Sequence, residues 1–179
     1  MDITNTITIN DWLPSLHLVM RTYLQGLLKK YLLEIKGEEE IKIKKEGIKE
    51  VMKLLRNHTQ FQYKGIVDII GIDKGRKLEI IYIIQSYRKN RRLKVRVELN
   101  EGEGIKTITE EYKGGDWLER EVYDMLGIEI IGHKDLRRIL TDYGSEGHPL
   151  RKRYPLSGYM ELKYDEKKKG IVHNRINER

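Results

Sequence analysis

Five side chains in the second half of the sequence could do acid–base work or hold a metal: Glu119, Glu121, Asp124, His133 and His148. Their spacing suits neither task. The histidines form no HxxxH or HExxH pair, and no further ligand falls at a metal-binding interval. Glu121 and Asp124 stand three apart, and Arg120 and Asp124 four apart, so on a helix they read first as members of ion pairs. Glu119 follows Asp116 by three residues, the position of a capping-box glutamate. The absence of Cys excludes a thiol nucleophile, Cys-ligated zinc and Cys-held clusters. Ser157 has no GxSxG setting and reads as a turn residue. Gly102 and Gly104 lack the third glycine of a dinucleotide loop, and no Walker A sequence occurs. What remains for an enzyme is a small hydrolase relying on Glu121 or His148, which replacement of either by Ala would silence.

Charge opens a second possibility. The chain carries 35 Lys and Arg against 28 Asp and Glu, a formal net charge of +7 over 179 residues. Arg88, Lys89, Arg91, Arg92, Lys94 and Arg96 crowd one stretch beside Tyr87; Arg151–Arg153 and Lys167–Lys169 form two more clusters. A basic organellar ribosomal or other RNA-binding protein would use such groups on phosphates. The strand 91–100 offers no aromatic for base stacking, which an RRM would need. A Lys-rich chain also places such charges on hairpin tips and tails.

The elements that must position these residues follow from periodicity. Leu13, Leu16, Met20, Tyr23, Leu24, Leu27, Leu28 and Tyr31 recur at three- and four-residue steps, which predicts a helix from about Trp12 to Glu34. Ile41–Lys45 alternates as a short strand. Ile48, Val51, Met52 and Leu55 predict a second helix. Phe61–Ile72, Lys77–Tyr87 and Arg91–Asn100 change to a period of two, with turn residues Asp73-Lys-Gly75 and Arg88-Lys-Asn90 between them, so consecutive antiparallel hairpins are expected. A third helix is expected after Asp116, which can cap it; Leu118, Val122 and Met125 are its stripe and Gly127 its stop. Ile128–Ile131 reads as a short strand. The order describes an α+β domain over residues 1–141. From Asp142 to Arg179 no period is strong, and Leu150, Tyr154, Leu156, Tyr159 and Leu162 are spaced as anchors of an extended C-terminal arm lying on another protein. No apolar run approaches the roughly 20 residues a bilayer span requires. The first twenty residues carry no basic or Arg-rich targeting pattern, so the protein is expected to remain where it is made. Ala is absent while Ile and Lys abound, a bias expected of an AT-rich gene.

The stretch Asp116-Trp-Leu-Glu-Arg-Glu-Val-Tyr-Asp-Met-Leu-Gly127 closely resembles the signature of the 30-kDa subunit family of respiratory complex I. The likeness continues through Gly132-His133, Asp135-Leu-Arg-Arg-Ile-Leu-Thr-Asp-Tyr-Gly144, Glu146-Gly-His-Pro-Leu-Arg-Lys152 and Tyr154-Pro-Leu-Ser-Gly-Tyr159 to Asp165. It is looser from Arg56 to Asn100. Three positions depart from the family pattern: Lys134 follows His133 where Pro is usual, Ser145 replaces an aromatic, and Arg153 replaces Asp. The resemblance implies a non-redox core subunit of the peripheral arm of NADH:ubiquinone oxidoreductase, on the matrix side of the mitochondrial inner membrane; joined to it, the absent Ala with abundant Ile and Lys and the N-terminus without a targeting pattern point to a gene carried in the organelle. It implies no catalytic, cofactor or metal residue in this chain. FMN, iron–sulfur clusters and ubiquinone would belong to other subunits. The implied partners are chiefly the 49-kDa subunit and small iron–sulfur subunits near the quinone site. The implied signature and inter-subunit contact residues are Trp117, Glu119, Arg120, Glu121, Asp124, Gly127, His133, Asp135, Arg137, Arg138, Asp142, Gly147, His148, Pro149, Arg151 and Lys152.

Overall fold

Alternation builds the centre of the molecule. In a computed structural model describing residues 29–36 and 39–176, three strands run antiparallel: β3 (Gly65–Asp73), β4 (Lys77–Ser86) and β5 (Arg91–Asn100). Every second residue of β5, from Leu93 to Leu99, is buried together with Leu78, Ile80, Tyr82 and Ile84 of β4. The turn between β3 and β4 is closed by Asp73, whose Oδ1 accepts the Gly75 N–H at 2.6 Å, with Gly75 at φ +90°. Two strands extend the sheet beyond β5: β2 (Glu40–Ile43) and, at the edge, β1 (Leu32–Lys36), giving the order β1-β2-β5-β4-β3. The expected antiparallel hairpins are formed by β3, β4 and β5. The sheet is mixed, because β2 joins β5 in parallel, with Ile41 opposite Val95 and Ile43 opposite Val97. That register places Ile41 and Ile43 on the buried face.

Helix α1 (Ile48–Asn57) buries Ile48, Val51, Met52 and Leu55, and helix α2 (Gly115–Leu126) buries Val122 and Leu126, all in one core with the sheet. Each such aliphatic side chain contributes roughly 1.5–3 kcal/mol through removal from water. Between them, β6 (Ile105–Lys106) pairs in parallel with β7 (Ile130–Ile131). Helix α2 packs directly on β3: a Cβ at Gly71 would lie 2.1 Å from a methyl group of Leu126.

Four expectations need correction or a limit. Most of the helix expected over 12–34 lies outside the described residues; its last part, Leu32–Glu34, is strand, since Leu32 pairs with Ile43 and Glu34 with Lys42. Asp116 does not cap α2: Gly114 holds the cap position without a side-chain bond, and Asp116 is one residue inside the helix. Ile128 is buried but precedes the strand, which begins at Ile130. The C-terminal segment is not extended throughout, because β8 (Met160–Asp165) and β9 (Gly170–Arg175) form an antiparallel hairpin. The stop is as expected. Gly127 ends α2 at φ +66°, a left-handed conformation that glycine adopts at little cost.

Candidate functional site

Most of the acidic and basic residues singled out by their spacing converge on α2. The helix carries two carboxylates that point inward; the segment after β6 meets one, and the irregular chain after β7 folds back along the helix to meet the other.

Glu119 is fully buried. Its Oε2 accepts the Thr107 hydroxyl at 2.6 Å, and its Oε1 accepts the Ile108 N–H at 2.8 Å. It therefore ties the segment after β6 to the helix and is no capping-box residue. Burial pushes its carboxyl above the ordinary value, although the Thr107 and Ile108 hydrogen bonds and His133 work in the other direction. His133 stands 3.9 Å from Glu119 and 3.0 Å from an Asp116 carboxylate oxygen. Its Nδ1 accepts the Asp135 N–H at 3.1 Å, so Nε2 carries the ring proton toward Asp116.

Asp124 is also fully buried, and five donors meet it. Oδ2 accepts the backbone N–H groups of Ile139, Leu140 and Thr141 at 3.0, 2.8 and 2.8 Å. Oδ1 accepts Arg138 Nη1 at 2.8 Å and the Thr141 hydroxyl at 2.5 Å. Burial opposes ionisation here too. The Thr141 hydroxyl and the three N–H groups outweigh it, and the carboxyl lies well below the ordinary aspartate range. The expected helical pairing of Asp124 with Arg120 is replaced by Arg138. Arg120 reaches the same segment at its backbone, donating to the carbonyls of Arg137 and Arg138 at 3.1 and 3.2 Å, with its guanidinium 5.4 Å from the centre of the Trp117 ring. Trp117 itself is exposed.

The end of α2 explains the Gly147-His-Pro-Leu-Arg151 run. A helix leaves its last carbonyls without partners inside the helix. His148 Nδ1 donates to the Asp124 carbonyl at 2.8 Å, the Leu150 N–H to Met125 at 3.0 Å, and the Arg151 guanidinium to Leu126. Three successive carbonyls are thus read by three residues of the returning chain. A cation at this end also suits the helix dipole. Arg138 closes the circuit by donating Nη2 to the Gly147 carbonyl at 2.8 Å. Gly127 is open for a second reason besides its φ, since a Cβ there would lie 2.5 Å from the His148 ring.

The other named residues sit outside this junction. Glu121 is exposed and, with Asp68, edges a shallow groove of about 120 Å³ between β3 and α2. Asp135 and Arg137 pair with each other at the surface, 3.0 Å apart. Asp142 is exposed and its carbonyl accepts the Ser145 N–H; Pro149 is exposed. The Lys152 N–H reaches back to Asp73 Oδ2 at 2.9 Å, and Arg153 pairs with Glu101. Thr107, Thr141 and Asp73 were not anticipated. They lie far in sequence from their partners, and nothing in their spacing signals the contact.

The basic stretch 88–96 is partly spent within the fold. Arg96 donates to both Glu79 oxygens at 2.9 Å and to Glu40 at 2.7 Å, and Lys89 donates to the Gln60 carbonyl. Among the described residues, no group of three or more His, Asp or Glu could hold a metal ion, and no helix is long and apolar enough to cross a membrane.

Known proteins resemble this arrangement over most of the chain. A 30.4 kDa subunit of Candida maltosa, named as a probable mitochondrial NADH-ubiquinone oxidoreductase subunit, is 40% identical over 161 residues, 87% of this chain and 58% of that protein. The chain thus spans well under two thirds of that relative. NADH-ubiquinone oxidoreductase subunit 9 of Reclinomonas americana is 41% identical over 140 residues, 76% of this chain and 69% of that protein. A chain in the solved structure of an archaeal membrane-bound sulfane sulfur reductase shares the fold, with a TM-score of 0.61 over 76% of this chain and 85% of its own length, at 17% identity. The family model described as the respiratory-chain NADH dehydrogenase 30 Kd subunit matches residues 41–160, two thirds of the sequence, and the chain belongs to that family.

Proposed function

We propose that this protein is a non-redox structural subunit in the peripheral arm of an NADH:ubiquinone oxidoreductase. In this reading it supports assembly and electron transfer from NADH to ubiquinone by holding neighbouring subunits in place. One observation carries it. The segment from His133 to Arg153 is fixed by hydrogen bonds to the buried Asp124 carboxylate and the last carbonyls of α2, while Leu140, Tyr143 and Leu150 along it face outward. Leu140, Tyr143 and Leu150 are 64%, 74% and 60% exposed, and Leu156, just beyond the segment, is fully exposed. A segment held rigidly by polar groups and apolar on its outside is built to meet another protein. In this reading the chain is assigned no catalysis of its own.

The partners in this reading are chiefly the 49-kDa subunit and small iron–sulfur subunits. FMN, the clusters and ubiquinone are assigned to other chains. The site of action is the matrix side of the mitochondrial inner membrane, and the gene is assigned to the organelle. The test is gentle native separation of membranes from the source, followed by detection of this chain. Migration with a large NADH-oxidising assembly is the expected result. Migration alone or with ribosomes ends the proposal.

A further inference from the structure

Strand β3 ends the sheet on one side. Among the described residues no second strand pairs with its outer edge. An edge strand presents a row of unpaired N–H and C=O groups, a template for another strand. Residues 66–72 read Ile-Val-Asp-Ile-Ile-Gly-Ile, with five β-branched apolar side chains, one charge and no Pro. That composition marks segments that pair with their own kind. Val67, Ile70 and Ile72 are exposed.

The two halves of this edge are guarded differently. In the first half the register shifts between Ile66 and Asp68, and the Asp68 carboxylate accepts the Ile69 N–H at 2.8 Å. A bulge and a charged side chain turned onto the backbone both make an edge a poor template. The second half is met instead by the chain returning from the end of α2. Leu150 lines the groove between β3 and α2 together with Asp68, Ile69, Ile70 and Gly71. Side chains alternate along a strand, so consecutive residues line one groove only where it opens along the strand's edge. Two residues beyond Leu150, the Lys152 N–H donates to Asp73 Oδ2 at 2.9 Å. Residues 148–153 are thus laid against the second half of the edge, and the last carbonyls of α2 hold them there.

We infer that β3 is a strand-pairing surface for a second copy of this chain, and that residues 148–153 are a strap that keeps it closed. A second copy fits because two identical strands paired antiparallel about a twofold axis are self-complementary. Each offers the other the same unpaired backbone groups and the same apolar row. With the strap lifted, Ile69 to Asp73 is free, about 17 Å of edge at strand spacing, and the two sheets continue into one another. The inference concerns the chain by itself and does not rest on the subunit reading.

The test uses the purified full chain, whose lack of Cys lets one introduced thiol report the contact. Leu150→Ser with Lys152→Pro takes the strap's side chain from the groove and its N–H from Asp73. Lys152 is the second residue of a turn closed by the Tyr154 N–H on the Arg151 carbonyl, where Pro is accommodated. Sedimentation should find wild type monomeric and the double variant shifted toward dimer by about tenfold or more in association constant. Leu150→Ser alone, at an exposed position, should give the same shift at smaller size and keeps the test independent of the Pro. Adding Ile70→Lys, a charge on the edge strand, should return the double variant to monomer. With Ile70→Cys as the one thiol, a short bis-maleimide should join two copies of the strap variant and leave the strap-intact chain single. Strap variants that stay monomeric, or dimers that persist with Ile70→Lys, overturn the inference. So does a wild-type chain that already pairs through β3, because the strap then closes nothing.

Discussion

The sheet and the returning chain after β7 are held by opposite kinds of force. In the sheet, apolar side chains from β2, β4 and β5 meet α1 and exclude water, a cohesion spread over many residues and indifferent to direction. The segment from His133 to Arg153 has few buried apolar groups. It is fixed by directed hydrogen bonds, most of which end on one helix: five on the Asp124 carboxyl and three on the last carbonyls of α2. A fold whose core loses one methyl group weakens by degrees. A segment hung on one carboxylate can detach when that group changes, while the sheet stays folded.

The largest effect is expected where the two regions meet. Asp124→Ala removes one acceptor and leaves Arg138, Thr141 and three N–H groups without it, weakening the attachment by about 3–5 kcal/mol. Amide exchange should show Leu140 and Thr141 losing protection while β4 and β5 keep theirs. Equal loss in both regions would mean that they unfold as one unit. Ile80→Ala, in the middle of the sheet, should cost about 2–5 kcal/mol by cavity formation. Urea denaturation followed by exchange should find the loss spread over the whole domain.

Gly127→Ala comes next. It forces a side chain to φ +66° and against the His148 ring, and should cost about 1–3 kcal/mol. The loss should be read mainly in the protection of Leu150, whose N–H bonds to Met125. If Leu150 keeps its protection, His148 is not what seats the segment.

The smallest effect separates the two carboxylates by pH. Asp124 has its folded pKa lowered, so its contribution is present above the unfolded value of about 3.9 and is lost as pH falls toward the folded one. The returning segment should loosen in acid before the sheet does. Glu119 has its folded pKa raised. Its contribution is full below the unfolded value of about 4.3 and declines as pH rises through the folded one. Glu119→Gln should therefore remove a loss of stability on the alkaline side of that window and change little below it. Thermal melts of wild type and variant from pH 4 to pH 8 measure this. Parallel curves would refute the assignment.

Periodicity located β3, β4, β5, α1 and α2 to within a few residues, because one-sided burial writes itself into alternate or three-to-four spacing. Gly127 was legible for a related reason, since a left-handed stop favours one residue type. Asp124 read as a member of an ion pair, but its partners were not legible, and neither was the inward role of Glu119. A charged residue on a helix reads as surface until the chain that covers it is in place. Their satisfying groups, Thr107, Ile108 and Ile139–Thr141, are 11 to 17 residues away, and most are backbone N–H groups that no residue type announces. The parallel pairing of β2 with β5 was hidden likewise, because alternation fixes a buried face but not the direction of the neighbour.

The sequence by itself determined the family, the antiparallel centre and the absence of thiol chemistry, through local patterns and residue types that need no partner to be read. Only the tertiary structure decided what the signature residues do. The energy of a buried carboxylate depends on donors delivered by a distant segment, and those donors exist only once the chain has folded back on its own helix.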